Sequence, residues 1–165
     1  MTLRLIAQKG VLHDEAGELY MQGEAATAKV TLLPPFKGRS FHLFCSEFNV
    51  GAKQVAIELK MSDIWNTKGS KQKSTELTHT SDVSNLSACD HMLVLLDDRT
   101  WTSGETTQQF IEHIYTAMGL GVHICCIHEF PSLVGPPRHE CEFALMFADG
   151  WTPQYLLGGP TNLYA

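Results

Sequence analysis

The sequence has no long apolar run, no excess of basic residues and no export signal. No apolar stretch approaches the roughly 20 residues that a membrane-spanning helix needs. The formal net charge of −6 argues against a broad nucleic-acid surface, because phosphates are held by clustered Lys and Arg. The N-terminal residues contain neither an apolar core of secretory length nor a cleavage site. We therefore expect a soluble cytoplasmic protein without a nucleic-acid partner.

The number of cysteines and their positions in apolar segments do not indicate a disulfide framework. The chain has five cysteines, an odd number, and four of them lie in or beside apolar runs. This pattern indicates reduced thiols in a core. Cys125 and Cys126 are adjacent, so on a strand their side chains point to opposite faces and cannot bind one ion together.

The length of the chain and the distribution of its apolar residues indicate one domain. A chain of 165 residues with 44% hydrophobic and 18% charged residues has an ordinary globular composition. Residues 1–39 mix glycine, proline and acidic residues without sustained periodicity, apart from possible helical turns at Thr2–Lys9. We interpret residues 1–39 as a lead-in segment and residues 40–165 as the domain.

Strands and helices alternate along that domain. "SFHLFCS" (Ser40–Ser46) predicts a short strand, and "NVGAKQVAIELKM" predicts a helix capped by Asn49. "STELTHT" is a possible edge strand, and "SDVSNLSACD" predicts a short helix opened by Ser81. The apolar run "HMLVLLDD" and the later "VHICCIHEF" predict two buried strands. Between those two strands, Thr106–Met118 has apolar residues at helical spacing and is followed by Gly119 and Gly121, which can end a helix.

The alternation predicts an α/β fold of three layers, with a flavodoxin-like parallel sheet covered by helices on both faces. Ligands of such sheets bind beyond the carboxyl ends of the strands. Those ends here are Cys45–Asn49, Leu96–Glu105 and His128–His139. The last residues of the chain predict one or two short helices and a possible final strand.

The sequence gives only weak indications of a metal site or a phosphate-binding loop. Asp97 and Asp98 end a strand and could hold Mg²⁺, although solvated loop carboxylates are the simpler interpretation. "HEFPSLVGPPRHECE" has ligand types without close zinc spacing, and no glycine motif has the spacing of a phosphate-binding loop. We expect no metal site and no required cofactor.

Several motifs together resemble one family. "FHLFCSEFNVGAKQVAIELKM" resembles the first strand, loop and helix of a Toll/interleukin-receptor (TIR) domain. "CDHMLVLLDDRTWTSG" resembles its central strand, and "TTQQFIEHIYTAMGLGVHICCI" its third helix and fourth strand. "TWTSGE", "GVHICCIHEFP", "HECEF" and "ADGWTPQYLL" are similar to a divergent branch found in large multidomain proteins of unicellular algae. The resemblance runs from about Phe41 to the last residue.

The resemblance implies one of two activities. Many TIR domains are assembly modules, whereas others cleave NAD with a glutamate on the third helix. In "FIEHIYTAM" the register of that glutamate falls on His113, and Glu112 stands one position earlier. One position is a rotation of about 100° around the helix. We therefore name Glu112 and His113 as candidate catalytic residues, of which only one can face the sheet.

The remaining candidates belong to a cleft expected at the strand ends. Ser46 and Glu47 follow the first strand, and Trp101 and Ser103, with Thr102 between them, follow the central strand. Because these loops meet at one edge of the sheet, we expect them to form the rim of a nucleotide site together with Glu112. Trp101 would either stack on a base or pack its loop onto the helix.

The expected function is a TIR-like signalling and assembly module of a larger intracellular protein, with weak or no NAD hydrolase activity. Its partners would be other TIR-like domains or a second copy of itself, and NAD is a possible substrate or ligand. The alternatives are an NAD-cleaving enzyme and a module that senses a nucleotide without cleaving it.

Overall fold

The computed structural model describes residues 32–61, 76–101, 104–128, 139–148, 150–158 and 162–163. Within these ranges the chain forms a four-stranded sheet, two α-helices and three short 3-10 helices. No helix of this part of the chain is long and apolar enough to cross a membrane. The helical turns predicted at Thr2–Lys9 lie outside the described residues.

The sheet is parallel throughout, as predicted. Its strands are β1 (Phe41–Cys45), β2 (His79–Thr80), β3 (Cys89–Leu96) and β4 (His123–His128). Their spatial order is β2-β1-β3-β4, and every neighbouring pair is parallel. This order, with the first strand inside the sheet, is that of flavodoxin-like folds. The short β2 confirms the edge strand that was predicted in "STELTHT".

The central strand β3 is buried on both faces. Met92, Val94 and Leu96 lie in one core cluster, and Leu93 and Leu95 lie in the other. All five side chains are at most 4% exposed. Successive side chains of a strand point to opposite faces, so a strand covered on both faces needs a continuous apolar run. The run "HMLVLL" therefore predicted the centre of the sheet correctly.

The two α-helices cover opposite faces of the sheet. Helix α1 (Ala52–Met61) buries Ala52 and Ala56 in the cluster that contains Leu93 and Leu95. Helix α2 (Gly104–Gly119) lies on the other face, in the cluster that contains Phe44 and Met92. The side chains that α2 buries there are those of Phe110, Ile111, Ile114 and Ala117. The predicted three-layer arrangement is thus confirmed.

Of the two glycines predicted to end α2, Gly119 is its last residue and Gly121 forms the stop. The Val122 N–H donates to the Ala117 carbonyl at 2.9 Å, and the Gly121 N–H donates to the Met118 carbonyl at 3.1 Å. These are the two bonds of a Schellman motif, which requires a left-handed residue just past the helix. Gly121 supplies it with φ +66°. Val122 then enters the core, which aligns β4 beside β3.

Strand β4 is less buried than predicted. Cys125 is half-buried and Cys126 is exposed, so the expectation that both are core thiols is wrong for Cys126. In the described part of the chain β4 is the end strand of the sheet, and its side chains have fewer covering neighbours than those of β3. An apolar run alone does not distinguish an end strand from a central one.

The short elements also differ in detail from the sequence prediction. The helix expected from Ser81 is a 3-10 helix, Val83–Ala88, and Asp82 caps it by accepting a hydrogen bond from the Ser84 N–H. The tail forms 3-10 helices at Phe143–Phe147 and Gln154–Leu156. Its described residues contain no final strand.

We predict that Leu93→Asp prevents formation of the native fold, so that the variant shows no cooperative unfolding transition. Leu93 is 1% exposed between β3 and α1, and an unpaired carboxylate there costs several kcal/mol, a large part of a total stability of about 5–15 kcal/mol. The measurement is urea denaturation followed by circular dichroism. Leu33→Asp is the matched control because Leu33 is 71% exposed. Equal midpoints for the two variants would contradict the burial of β3.

Candidate functional site

The carboxyl ends of β1 and β3 meet at one edge of the sheet, as the fold prediction required. β1 ends at Cys45 and β3 at Leu96, and the two strands are direct neighbours. The loop from Ser46 follows β1, the loop from Asp97 follows β3, and α2 begins just beyond that second loop. Parallel α/β sheets bind ligands at this edge.

A buried asparagine holds the first loop against β3. The Asn49 side-chain amide donates to the Leu95 carbonyl at 2.9 Å, and the Leu95 N–H donates to Asn49 Oδ1 at 2.7 Å. Asn49 is 3% exposed. Its amide therefore continues the pairing of β1 with β3 past Cys45, where β1 ends. The predicted role of this side chain as a helix cap is wrong, because both of its polar atoms are used by β3.

His113 is the residue of α2 that faces the end of β1. Its Nδ1 atom lies 3.0 Å from Ser46 Oγ, and the Phe48 N–H donates to the same hydroxyl oxygen at 3.2 Å. The Phe44 ring meets the imidazole edge-on with centroids 5.7 Å apart, and the Phe48 ring is tilted against it at 5.2 Å. The imidazole is thus enclosed by the strand and loop that carry Ser46.

The surroundings of His113 favour its neutral form. Burial lowers the pKa of the imidazole, and the carboxylates of Glu47 and Glu112 oppose that shift only in part. A neutral imidazole can exchange a hydrogen bond with Ser46, but it carries no charge.

Glu112 and Glu47 are both exposed to solvent. Ile111 and Ile114 are buried and define the side of α2 that faces the sheet. Neighbouring positions on a helix differ by about 100°, so His113 lies on the sheet side and Glu112 points to solvent. Of the two candidate catalytic residues, the structure brings His113 to Ser46. Ser46 itself is 1% exposed, so it lies beneath the surface and not on a rim.

A hydroxyl beside an imidazole is also the pair used in nucleophilic catalysis. Here the Ser46 oxygen already accepts the Phe48 N–H and is closed off from solvent. A nucleophile must reach its substrate, and this hydroxyl does not. The Ser46–His113 contact therefore acts as a tie between β1 and α2.

Trp101 packs its loop onto α2. The indole is 9% exposed and stacks on the Phe110 ring at a centroid distance of 5.5 Å. Of the two roles predicted for this side chain, packing is the one observed, and the ring face against Phe110 is occupied. Thr102 and Ser103 lie outside the described residues.

The carboxylates at the end of β3 have protein partners. Asp97, which is 2% exposed, accepts hydrogen bonds from the Arg99 N–H at 2.9 Å and from its guanidinium at 2.6 and 3.1 Å. Asp98 lies 3.1 Å from His139 Nδ1. Among the described residues no group of three or more His, Cys, Asp or Glu side chains could hold a metal ion. The Asp97 carboxylate orders the turn after β3.

The second ligand-like segment brings together a thiol and an imidazole. Cys141 Sγ lies 3.9 Å from His128 Nε2. Burial raises the pKa of the Cys141 thiol, and the carboxylates of Asp97 and Asp98 raise it further. A protonated thiol is a poor nucleophile and a poor metal ligand. Glu129, which belongs to the same sequence motif, lies outside the described residues.

A shallow cleft opens on the α1 side of this edge, with a volume of about 200 Å³. Its lining residues are Gly51, Gln54, Val55, Glu58, Leu95, Asp97, Arg99 and His139. Gly51 has φ +91°, a left-handed conformation that favours glycine, and a Cβ there would also lie 2.9 Å from Leu95 Cδ2. The cleft is smaller than the roughly 300–1,000 Å³ of typical ligand pockets. Arg99 enters it already paired with Asp97.

Comparison of the chain with family models, with curated proteins and with solved structures found no match. The TIR resemblance therefore stays a prediction that rests on the residues quoted for it.

We predict that the half-buried position of His113 makes the fold less stable in mild acid. Because the folded-state pKa is lowered, the unfolded chain binds a proton more readily. The contribution of neutral His113 to the free energy of unfolding is complete at pH values above 6.5, the ordinary pKa of histidine. It is lost as the pH falls from 6.5 through the lower pKa of the folded state. Urea denaturation at about pH 7.5 and about pH 5.5 measures it.

The pKa values of His79 and His91 are also lowered by burial, so the wild-type loss has several sources. His113→Gln should lose less stability than the wild type between the two pH values, because it removes one of those sources. An equal loss in the two proteins would show that His113 is not held in its neutral form.

Proposed function

We propose that this chain is a TIR-like signalling and assembly module with weak or no NAD hydrolase activity. The observation that carries the proposal is the register of α2: His113 meets Ser46 at 3.0 Å, whereas Glu112 is exposed. The resemblance would require a carboxylate where this chain has a neutral imidazole.

The electrostatics of NAD cleavage explain why an imidazole in place of a carboxylate matters. Breaking the bond between nicotinamide and ribose develops positive charge on the ribose. A carboxylate directed at that charge stabilises the transition state, and such preorganised charge is usually the largest catalytic contribution. A neutral imidazole can hydrogen-bond a ribose hydroxyl but supplies no negative charge. The two nearby carboxylates, Glu47 and Glu112, are solvated, which weakens their effect.

The accessibility of the other candidate residues supports the same conclusion. Ser46 is 1% exposed, and the Trp101 ring is stacked on Phe110. Neither side chain offers a free surface to a sugar or a base. Of the predicted cofactor-binding residues Ser46, Glu47 and Trp101, which the structure describes, only Glu47 is exposed.

Exposed apolar side chains in the tail support assembly. Phe143, Leu145 and Phe147 are 37%, 39% and 50% exposed on a single 3-10 helix. The rings of Phe143 and Phe147 touch edge-on at 5.2 Å. Adjacent apolar groups on a surface mark contact sites for other proteins. We propose a second copy of this chain, or another TIR-like domain, as the partner.

The first test measures nicotinamide release. Wild-type protein and Glu112→Ala are incubated with NAD, and free nicotinamide is quantified by chromatography. We expect equal release, close to that of buffer alone, because Glu112 does not face the site. Glu105→Ala is the matched control, since Glu105 is an exposed glutamate in the first turn of the same helix. Release that falls in Glu112→Ala and not in Glu105→Ala would contradict the proposal and assign Glu112 as the catalytic acid.

The second test measures self-association by sedimentation velocity. The weight-average sedimentation coefficient of the wild type should rise with concentration, and Phe147→Asp should reduce that rise by placing a charge in the apolar patch. Val83→Asp is the matched control, because Val83 is 51% exposed on a different 3-10 helix. A wild type that stays monomeric at every concentration, or equal effects of the two substitutions, would argue against this contact.

A further inference from the structure

Two histidines face each other across neighbouring strands, at the amino ends of the strands. Ser46 and His113 lie at the opposite, carboxyl ends. His91 of β3 and His123 of β4 are direct partners in the parallel register. Both stand at the beginning of their strands, on the face that carries Leu93 and Cys125. His91 is half-buried and His123 is exposed, so solvent reaches the pair.

The geometry of the pair matches that of two ligands on one metal ion. The Nδ1 atoms of His91 and His123 are 3.2 Å apart, and the rings are perpendicular with centroids 5.2 Å apart. Zn²⁺ binds imidazole nitrogen at about 2.0–2.1 Å, so two such nitrogens at a tetrahedral angle lie about 3.3 Å apart. The observed separation therefore needs little adjustment, and the ladder between β3 and β4 fixes both backbones.

Without a metal, the same separation fits an N–H···N hydrogen bond in which one ring donates and the other accepts. A cation bound by both Nδ1 atoms displaces that shared proton, which moves to Nε2 of the donor ring by exchange with solvent, so that both imidazoles bind in their neutral form. Nearby charges act in both directions, since Asp90 attracts a cation whereas Arg39, and His42 when protonated, repel it. Burial lowers the pKa of His91, which keeps its lone pair available near neutral pH.

We propose that His91 and His123 form a binding site for a first-row divalent cation, with Zn²⁺ as the closest fit and solvent completing its coordination. Imidazole is a preferred ligand for zinc, copper and nickel. Two protein ligands make a site that exchanges its ion readily, unlike a structural site with four. This proposal is independent of the TIR assignment, because neither histidine belongs to the site around His113.

The test is titration of the full chain with Zn²⁺ by isothermal titration calorimetry. We expect one ion per chain, and affinity about tenfold or more weaker in both His91→Gln and His123→Gln, because each variant removes one of two ligands. His79→Gln is the matched control, as His79 is a half-buried strand histidine outside the pair. Cys126→Ser tests a thiol as the competing ligand, since Cys126 is the exposed cysteine although burial raises the pKa of its thiol to about 11. Both controls should bind as the wild type does.

The proposal is overturned if the wild type binds no Zn²⁺, if either histidine variant keeps wild-type affinity, or if Cys126→Ser alone removes binding. A second measurement covers the case in which a variant fails to fold. In the ¹⁵N-labelled wild type, Zn²⁺ should shift the Nδ1 resonances of His91 and His123 together. A shift of only one resonance, or of neither, would also overturn the proposal.

Discussion

The pairing of the Asn49 amide with the backbone of Leu95 is the interaction on which the candidate site depends. β1 ends four residues earlier, and without this amide the loop after β1 would have no bond to the central strand at that position. The Leu95 carbonyl also accepts a hydrogen bond from the Thr100 hydroxyl at 2.9 Å, whereas the buried Leu95 N–H would lose the Asn49 oxygen, and leaving a buried polar group unpaired costs about 1–3 kcal/mol. The amide thereby fixes the loop that carries Ser46 and Phe48, which in turn enclose His113.

Much of the fold could be predicted because its signals are local. The unbroken apolar run of β3 identified the central strand, and the spacing of Phe110, Ile111 and Ile114 identified the inward face of α2. Gly121 marked the end of that helix because only the left-handed conformation closes the Schellman motif. Each signal lies within one element, where periodicity and backbone sterics act directly.

The contacts of the site could not be predicted because they join distant residues. Asn49 and Leu95 are 46 positions apart, and Ser46 and His113 are 67 positions apart. A sequence gives the face on which a residue lies, but not the atom that it meets across the core. Asn49 beside a helix start resembles a cap, and the structure uses its amide elsewhere. The register of β3 with β4, which aligns His91 with His123, is likewise set by tertiary packing.

Trp101 shows how a choice left open by the sequence is decided by packing. An aromatic ring near the strand ends fits either a nucleotide base or the apolar side of a helix. The Phe110 ring on α2 lies next to it, and contact with that ring buries the indole almost completely. The stacked rings of Trp101 and Phe110 thus join the loop after β3 to α2, the helix that also carries His113.

The central claim is that the polar residue of α2 that contacts Ser46 at the end of β1 is a neutral histidine and not a carboxylate. Its most direct measurement is an NMR titration of the imidazole nitrogens in the ¹⁵N-labelled protein, with the His113 signals assigned by His113→Gln. The account predicts a pKa for His113 below the ordinary value of 6.5, because burial disfavours its charged form. A pKa at or above 6.5 would contradict it, since it would mean that the imidazole is solvated or paired with a carboxylate.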